Sequence, residues 1–79
     1  MEYLFEQIPL LRKKAIDKES LDVLPRWKED ISRKIFLLPS EDILDRMSMS
    51  QLKQVKKSID DIYGLMKKYS ASRYLEINN

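Results

Sequence analysis

Apolar residues recur along this chain at helical spacing, and no stretch alternates apolar and polar positions over a strand length. Leu4, Ile8, Leu11 and Ala15 fall on one helix face. Trp27, Ile31, Ile35 and Leu38 form a second stripe, with Phe36 on the opposite side, so the end of that helix is apolar all round. Such an end predicts burial at the centre of a domain or contact with another chain. Ile43, Leu44 and Met47 give one short face, about two turns long. The last pattern is the clearest: Leu52, Val55, Ile59, Ile62, Met66 and Tyr69 repeat at alternating steps of three and four. That is a coiled-coil-like seam, which fails where the register next reaches Arg73 and Glu76.

The boundaries are written in turn chemistry. Pro9 lies inside the first stripe, which leaves two readings: a helix kinked at Pro9, or one that starts near Ile8 with Pro9 at its first position. The second is preferred, with residues 1–7 as an N-terminal arm that folds Tyr3, Leu4 and Phe5 over the core. Lys18 to Leu24 connects to the next helix, with room for one turn of its own, and Pro25 opens that helix. Pro39 stops it. Ser40 is the expected N-cap of the third helix, with Glu41 and Asp42 in its first turn. Ser48 and Gln51 have the spacing of a capping box for the fourth. That helix ends near Ser70 or continues as an exposed extension, and residues 71–79 are a candidate flexible or docking tail. The only glycine, Gly64, sits inside a helical pattern, and no Asn-Gly or Asp-Gly pair marks a hairpin. The expected fold is therefore all-α: one domain over residues 1–79, a bundle of three to four helices with a long C-terminal one.

Length changes this picture. A chain of 79 residues buries roughly two thirds of its extended surface, a marginal core. With no Cys and no His, neither a disulfide nor a His or Cys metal site reinforces it. Self-association or a larger partner is the remaining aid. The longest apolar run, Ile35 to Leu38, is far too short for a membrane span. The Met1-Glu2 opening has no basic or long apolar leader, so a cytoplasmic location is expected.

Charge and chemistry narrow the function. The net charge is +2, spread evenly along the chain, which argues against a basic-tail nucleic-acid binder. Without His, acid–base catalysis would rest on carboxylates, and these sit at helical spacing from basic residues: Asp30 from Lys34, Glu29 from Arg33. Asp60 and Asp61 are adjacent, so they diverge by about 100° around a helix and make a poor acid–base pair. One glycine cannot build a phosphate-binding loop. No enzyme, cofactor, metal or small-molecule substrate is expected.

Two surfaces remain as candidates. Lys53, Lys56, Lys57, Lys67 and Lys68 lie opposite the seam of the fourth helix, interrupted by Asp60 and edged by Asp61. They form either a nucleic-acid-binding row that tracks phosphates or an ordinary solvated face. Arg12, Lys13 and Lys14 would extend the row if the first helix packs alongside. Trp27, Phe36, Leu37, Tyr74, Leu75 and Ile77 are the candidate protein-interface residues, although Trp27 reads first as a core anchor and second as an interface hot spot. Met47, Met49 and Met66 suit core filling or a plastic groove. A helix-turn-helix over residues 40–59 fits poorly, because its turn lacks Gly and it would place Gln54 and Lys57 at buried positions. The expectation is a small non-enzymatic subunit that binds another protein or itself as an oligomer, set within a nucleic-acid-processing assembly. The alternatives are direct, sequence-independent DNA or RNA binding through the lysine row, and a small regulator that occludes a partner's surface.

Overall fold

Each segment with a helical stripe is a helix. The computed structural model describes residues 2–72, and these form α1 (Glu2–Ile16), a 3-10 turn (Lys18–Ser20), α2 (Pro25–Phe36), α3 (Glu41–Leu44) and α4 (Met49–Lys68). No strand occurs among the described residues, and the chain is a small all-α bundle.

α1 corrects the preferred reading of the N-terminus. It runs through Pro9 without starting there, and Tyr3, Leu4 and Phe5 are helical rather than part of an arm. Proline in a helix interior removes one backbone bond and crowds the carbonyl four residues before it. The turns ahead of Pro9 stay helical because tertiary contacts hold them: Leu4 and Ile8 are buried and Phe5 packs against the core. The Tyr3 hydroxyl donates to Asp60 Oδ1 at 3.1 Å, and the Tyr63 hydroxyl donates to Gln7 Oε1. These two bonds also show that α1 runs parallel to the second half of α4, beginning near the level of Asp60.

α2 returns antiparallel to both. Leu24 is extended (φ −56°, ψ 139°), as a residue before proline must be, and Pro25 then opens the helix. At this end Trp27 stacks on Tyr69, with ring centroids 3.8 Å apart. The Leu24 N–H donates to the Tyr69 carbonyl at 2.8 Å, and the Ala71 N–H donates to the Asp22 carbonyl at 3.2 Å. The loop before α2 and the end of α4 are thus tied by backbone bonds as well as by rings.

α3 is a single turn, shorter than its apolar pattern predicts. Ser40 stands at its N-cap in an extended conformation, but its hydroxyl makes no capping bond. The chain beyond Leu44 tightens through three-residue bonds, Arg46 N–H to Ile43 O and Met47 N–H to Leu44 O. Only Leu44 of the expected face is buried; Met47 is half-buried and Ile43 is exposed. A longer helix would have little more to bury. α4 opens with the complete capping box of Ser48 and Gln51, and its seam residues Leu52, Val55, Ile59 and Ile62 enter the core. Met66 packs at the margin of that core.

Two helix interiors carry residues that cost helical stability without contributing to packing. Pro9 is exposed, and a Cβ added at Gly64 would meet nothing within 4 Å. Replacing Pro9 with Ala restores the bond to the Phe5 carbonyl and should raise unfolding free energy by about 2 kcal/mol, after allowance for a looser unfolded chain. Gly64→Ala should add about 1 kcal/mol. Urea titrations followed by circular dichroism measure both. An unchanged midpoint for Pro9→Ala would mean that the turns ahead of Pro9 add no stability.

Candidate functional site

An apolar groove lies between the C-terminal end of α2 and the stretch of α4 from Gln51 to Leu65. Its origin is a mismatch of lengths. At 1.5 Å per residue α4 is about 30 Å long, α1 about 22 Å and α2 about 18 Å. Because α1 begins only near Asp60, it does not cover the first half of α4. Leu52 and Val55 there keep 8% exposure, while Ile59, under α1, has 0%.

Pro39 shapes the lip. It ends α2 and leaves the two preceding leucines in a tight turn, with Leu37 N–H donating to Arg33 O and Leu38 N–H to Ile35 O. The two side chains part: Leu38 points inward at 5% exposure, and Leu37 outward at 79%. Arg12 fixes the turn from α1, donating from Nη2 to the Leu38 carbonyl at 2.8 Å. The resulting groove encloses about 480 Å³. Leu37, Leu38, Met47, Val55, Ile62 and Leu65 supply its apolar lining, with Lys34 on the α2 side and Asp61 on the α4 side. Phe36, Ile43 and Met49, all at this end of the bundle, are also exposed.

The predicted interface residues do not form one surface. Leu37 lines the groove and Phe36, the residue before it, is exposed; neither is central core. Trp27 lies near the opposite end of α2, half-buried against Tyr69. Tyr74, Leu75 and Ile77 lie outside the described residues. Sequence reasoning missed Leu65, whose place beside Met66 widens the seam, and it paired Lys34 with Asp30. Instead Arg33 pairs with Asp30 at 3.7 Å and Glu29 pairs with Lys18 at 2.6 Å. Lys18 accordingly holds the Glu29 carboxyl below its ordinary pKa, with a smaller contribution from Arg33.

All five candidate lysines of α4 are exposed, and among the described residues none pairs with a carboxylate. They form two groups. Lys53, Lys56 and Lys57 flank the first half of α4, while Lys67 and Lys68 lie about 15 Å further along. Asp60 and Gly64 occupy the interval. Lys68 sits 5.4 Å over the Tyr69 ring. From α1, Lys14 joins Lys67 along a second cavity of about 680 Å³, and Lys13 is exposed, whereas Arg12 is turned inward and adds nothing to this face. Gln54 and Lys57 are both exposed and α3 is one turn, so residues 40–59 lack the buried positions of a helix-turn-helix.

Among the described residues no three His, Cys, Asp or Glu side chains are placed to hold a metal ion, and no helix is long and apolar enough to cross a membrane. No known protein family, curated protein or solved structure matches the chain.

At the other end Asp22 organises the chain after α4. Its carboxylate accepts from the Ser72 N–H at 3.1 Å, the Ser72 hydroxyl at 3.0 Å and the Ser70 hydroxyl at 3.0 Å. The Ser72 hydroxyl bond leads in holding the Asp22 pKa below its ordinary value, the remaining bonds adding to it against partial desolvation. A folded-state pKa below the unfolded value of about 3.9 means that these bonds stabilise fully above that value. The contribution is lost as pH falls through the folded-state pKa. Urea midpoints measured from about pH 7 to about pH 2 should therefore show a gap between the wild type and Asp22→Asn that closes on acidification. A gap independent of pH would refute the role of the charge.

Proposed function

We propose that this chain is a non-enzymatic interaction subunit that binds protein through the groove between α2 and α4. The observation that carries the reading is Leu37: a large aliphatic side chain held 79% exposed at the edge of an apolar groove by a proline-terminated turn. Scattered apolar residues are normal on protein surfaces. Here Phe36, Leu37, Ile43 and Met49 are exposed at the end of the bundle where the groove also opens, and a concentration of that kind marks an interaction site. Among the described residues, Lys34 and Asp61 are the charged groups of the lining, with Gln51, Gln54 and Ser58 as its polar ones.

The lysine face supports a second reading, direct phosphate contact with DNA or RNA. In its favour are four lysines of α4 that form no salt bridge and stack on no ring among the described residues, and Lys14 lying near Lys67. Against it stands Asp60, held in the middle of the face by the Tyr3 hydroxyl. A nucleic-acid-processing assembly is a setting that would use both surfaces. A regulator that occludes a partner would use the groove in the same way as a structural subunit.

Affinity capture of the tagged chain from its native cells, with nuclease and a high-salt wash, separates these readings. The groove reading expects a stoichiometric protein, or a second untagged copy, that survives both treatments and is lost with Leu37→Glu. Recovery that vanishes with nuclease or salt, and with Lys53, Lys57 and Lys67 changed to Glu, would transfer the function to the lysine face.

A further inference from the structure

We infer that the occupant of the groove is a second copy of this chain, packed about a two-fold axis. The inference rests on the reading of the groove as a protein-binding surface and names its partner. A two-fold interface is isologous: each patch must complement itself. This groove has the features that self-complementarity demands. It carries its own knob beside its own hole, Leu37 at the edge of a cavity of about 480 Å³ lined by Leu38, Met47, Val55 and Ile62. A copy turned through 180° places its Leu37 in the first copy's groove and receives the first Leu37 in return.

The charges obey the same symmetry. The groove is flanked by one cation and one anion, Lys34 on α2 and Asp61 on α4. Neither forms a salt bridge among the described residues. In the two-fold arrangement Lys34 of each copy faces Asp61 of the other, so two ion pairs form. A strongly acidic or basic partner would be matched by a rim of one sign, which this groove lacks. Lys53, Lys56 and Lys67 point away from the groove, whereas Lys57 stands one turn before Asp61 on the same side of α4. The length mismatch supplies part of the apolar area, since a second copy on the groove also covers Val55 in the half of α4 that α1 does not reach.

The test uses charge reversal in two separate variants. Lys34→Glu places two acidic groups on each rim, and Asp61→Lys places two basic ones, so each variant alone meets itself with like charges. Mixed one to one, every rim contact becomes attractive again. Sedimentation equilibrium between about 1 μM and 1 mM should show a concentration-dependent dimer for the wild type. Each single variant should dimerise about tenfold more weakly, and the mixture should recover affinity to within about threefold. Leu37→Glu should be monomeric with unchanged helicity, because that side chain is exposed and its replacement leaves the core intact.

A wild-type chain that stays monomeric throughout overturns the inference. So does a dimer indifferent to Leu37→Glu, or a mixture no tighter than its components. If the chain is monomeric but Leu37→Glu still strips a stoichiometric protein from the affinity capture, only the second copy is refuted and the groove remains a binding surface.

Discussion

The rest of the structure depends on the burial of one face of α4. Its seam from Leu52 to Tyr69 is the longest apolar surface in the chain, and the elements around it are arranged to cover it. α1 lies parallel to its second half, α2 returns antiparallel beside it, and Trp27 closes the far end on Tyr69. With so few residues, no element is long enough to cover the whole seam. The cover is complete at Ile59 and Ile62 and thins towards Leu52. The groove is what remains where the cover runs out, so one constraint accounts for both the core and the candidate site.

That constraint also explains why α1 tolerates Pro9. A helix interrupted at Pro9 would leave Leu4, Phe5 and Ile8 free to leave α4, and the seam would lose cover above Asp60 as well as below it. Burial of Leu4 and Ile8 contributes several kcal/mol, against about 3 kcal/mol for an interior proline. The comparison of these magnitudes decides for the continuous helix. The hydrogen bonds from Tyr3 to Asp60 and between Tyr63 and Gln7 then set the height at which α1 sits.

How far this was legible in the sequence follows from the range of each interaction. Local signals read well: the capping box at Ser48 and Gln51, Pro25 at the start of α2, and the seam spacing all appear where local rules place them. Pro9 was misread because a local rule, helix breaking, was overruled by tertiary burial that no short window contains. The single turn of α3 was misread for the converse reason: Ile43 has the right spacing, but no neighbour covers it. The lysine face could be drawn on a wheel, yet the wheel shows angle and hides distance, so the interval between Lys57 and Lys67 and the inward turn of Arg12 emerged only in three dimensions.

The groove belongs to the third kind of information, which exists only between elements. Phe36 and Leu37 were visible as surplus apolar residues at the end of α2, with two outcomes open to them, burial or contact. The choice turns on Pro39. Leu37 is the C-cap of α2 and keeps an αR backbone, so its side chain leaves the helix end at the groove. The proline stop holds Leu37 at the edge of a crevice whose opposite wall is α4, and the Arg12 bond to the Leu38 carbonyl keeps the turn there. An exposed leucine fixed in this way has lost conformational freedom without gaining burial. Within the isolated chain that ordering has no return; in contact with a complementary surface it is preorganisation, because the turn has less backbone entropy to lose on binding.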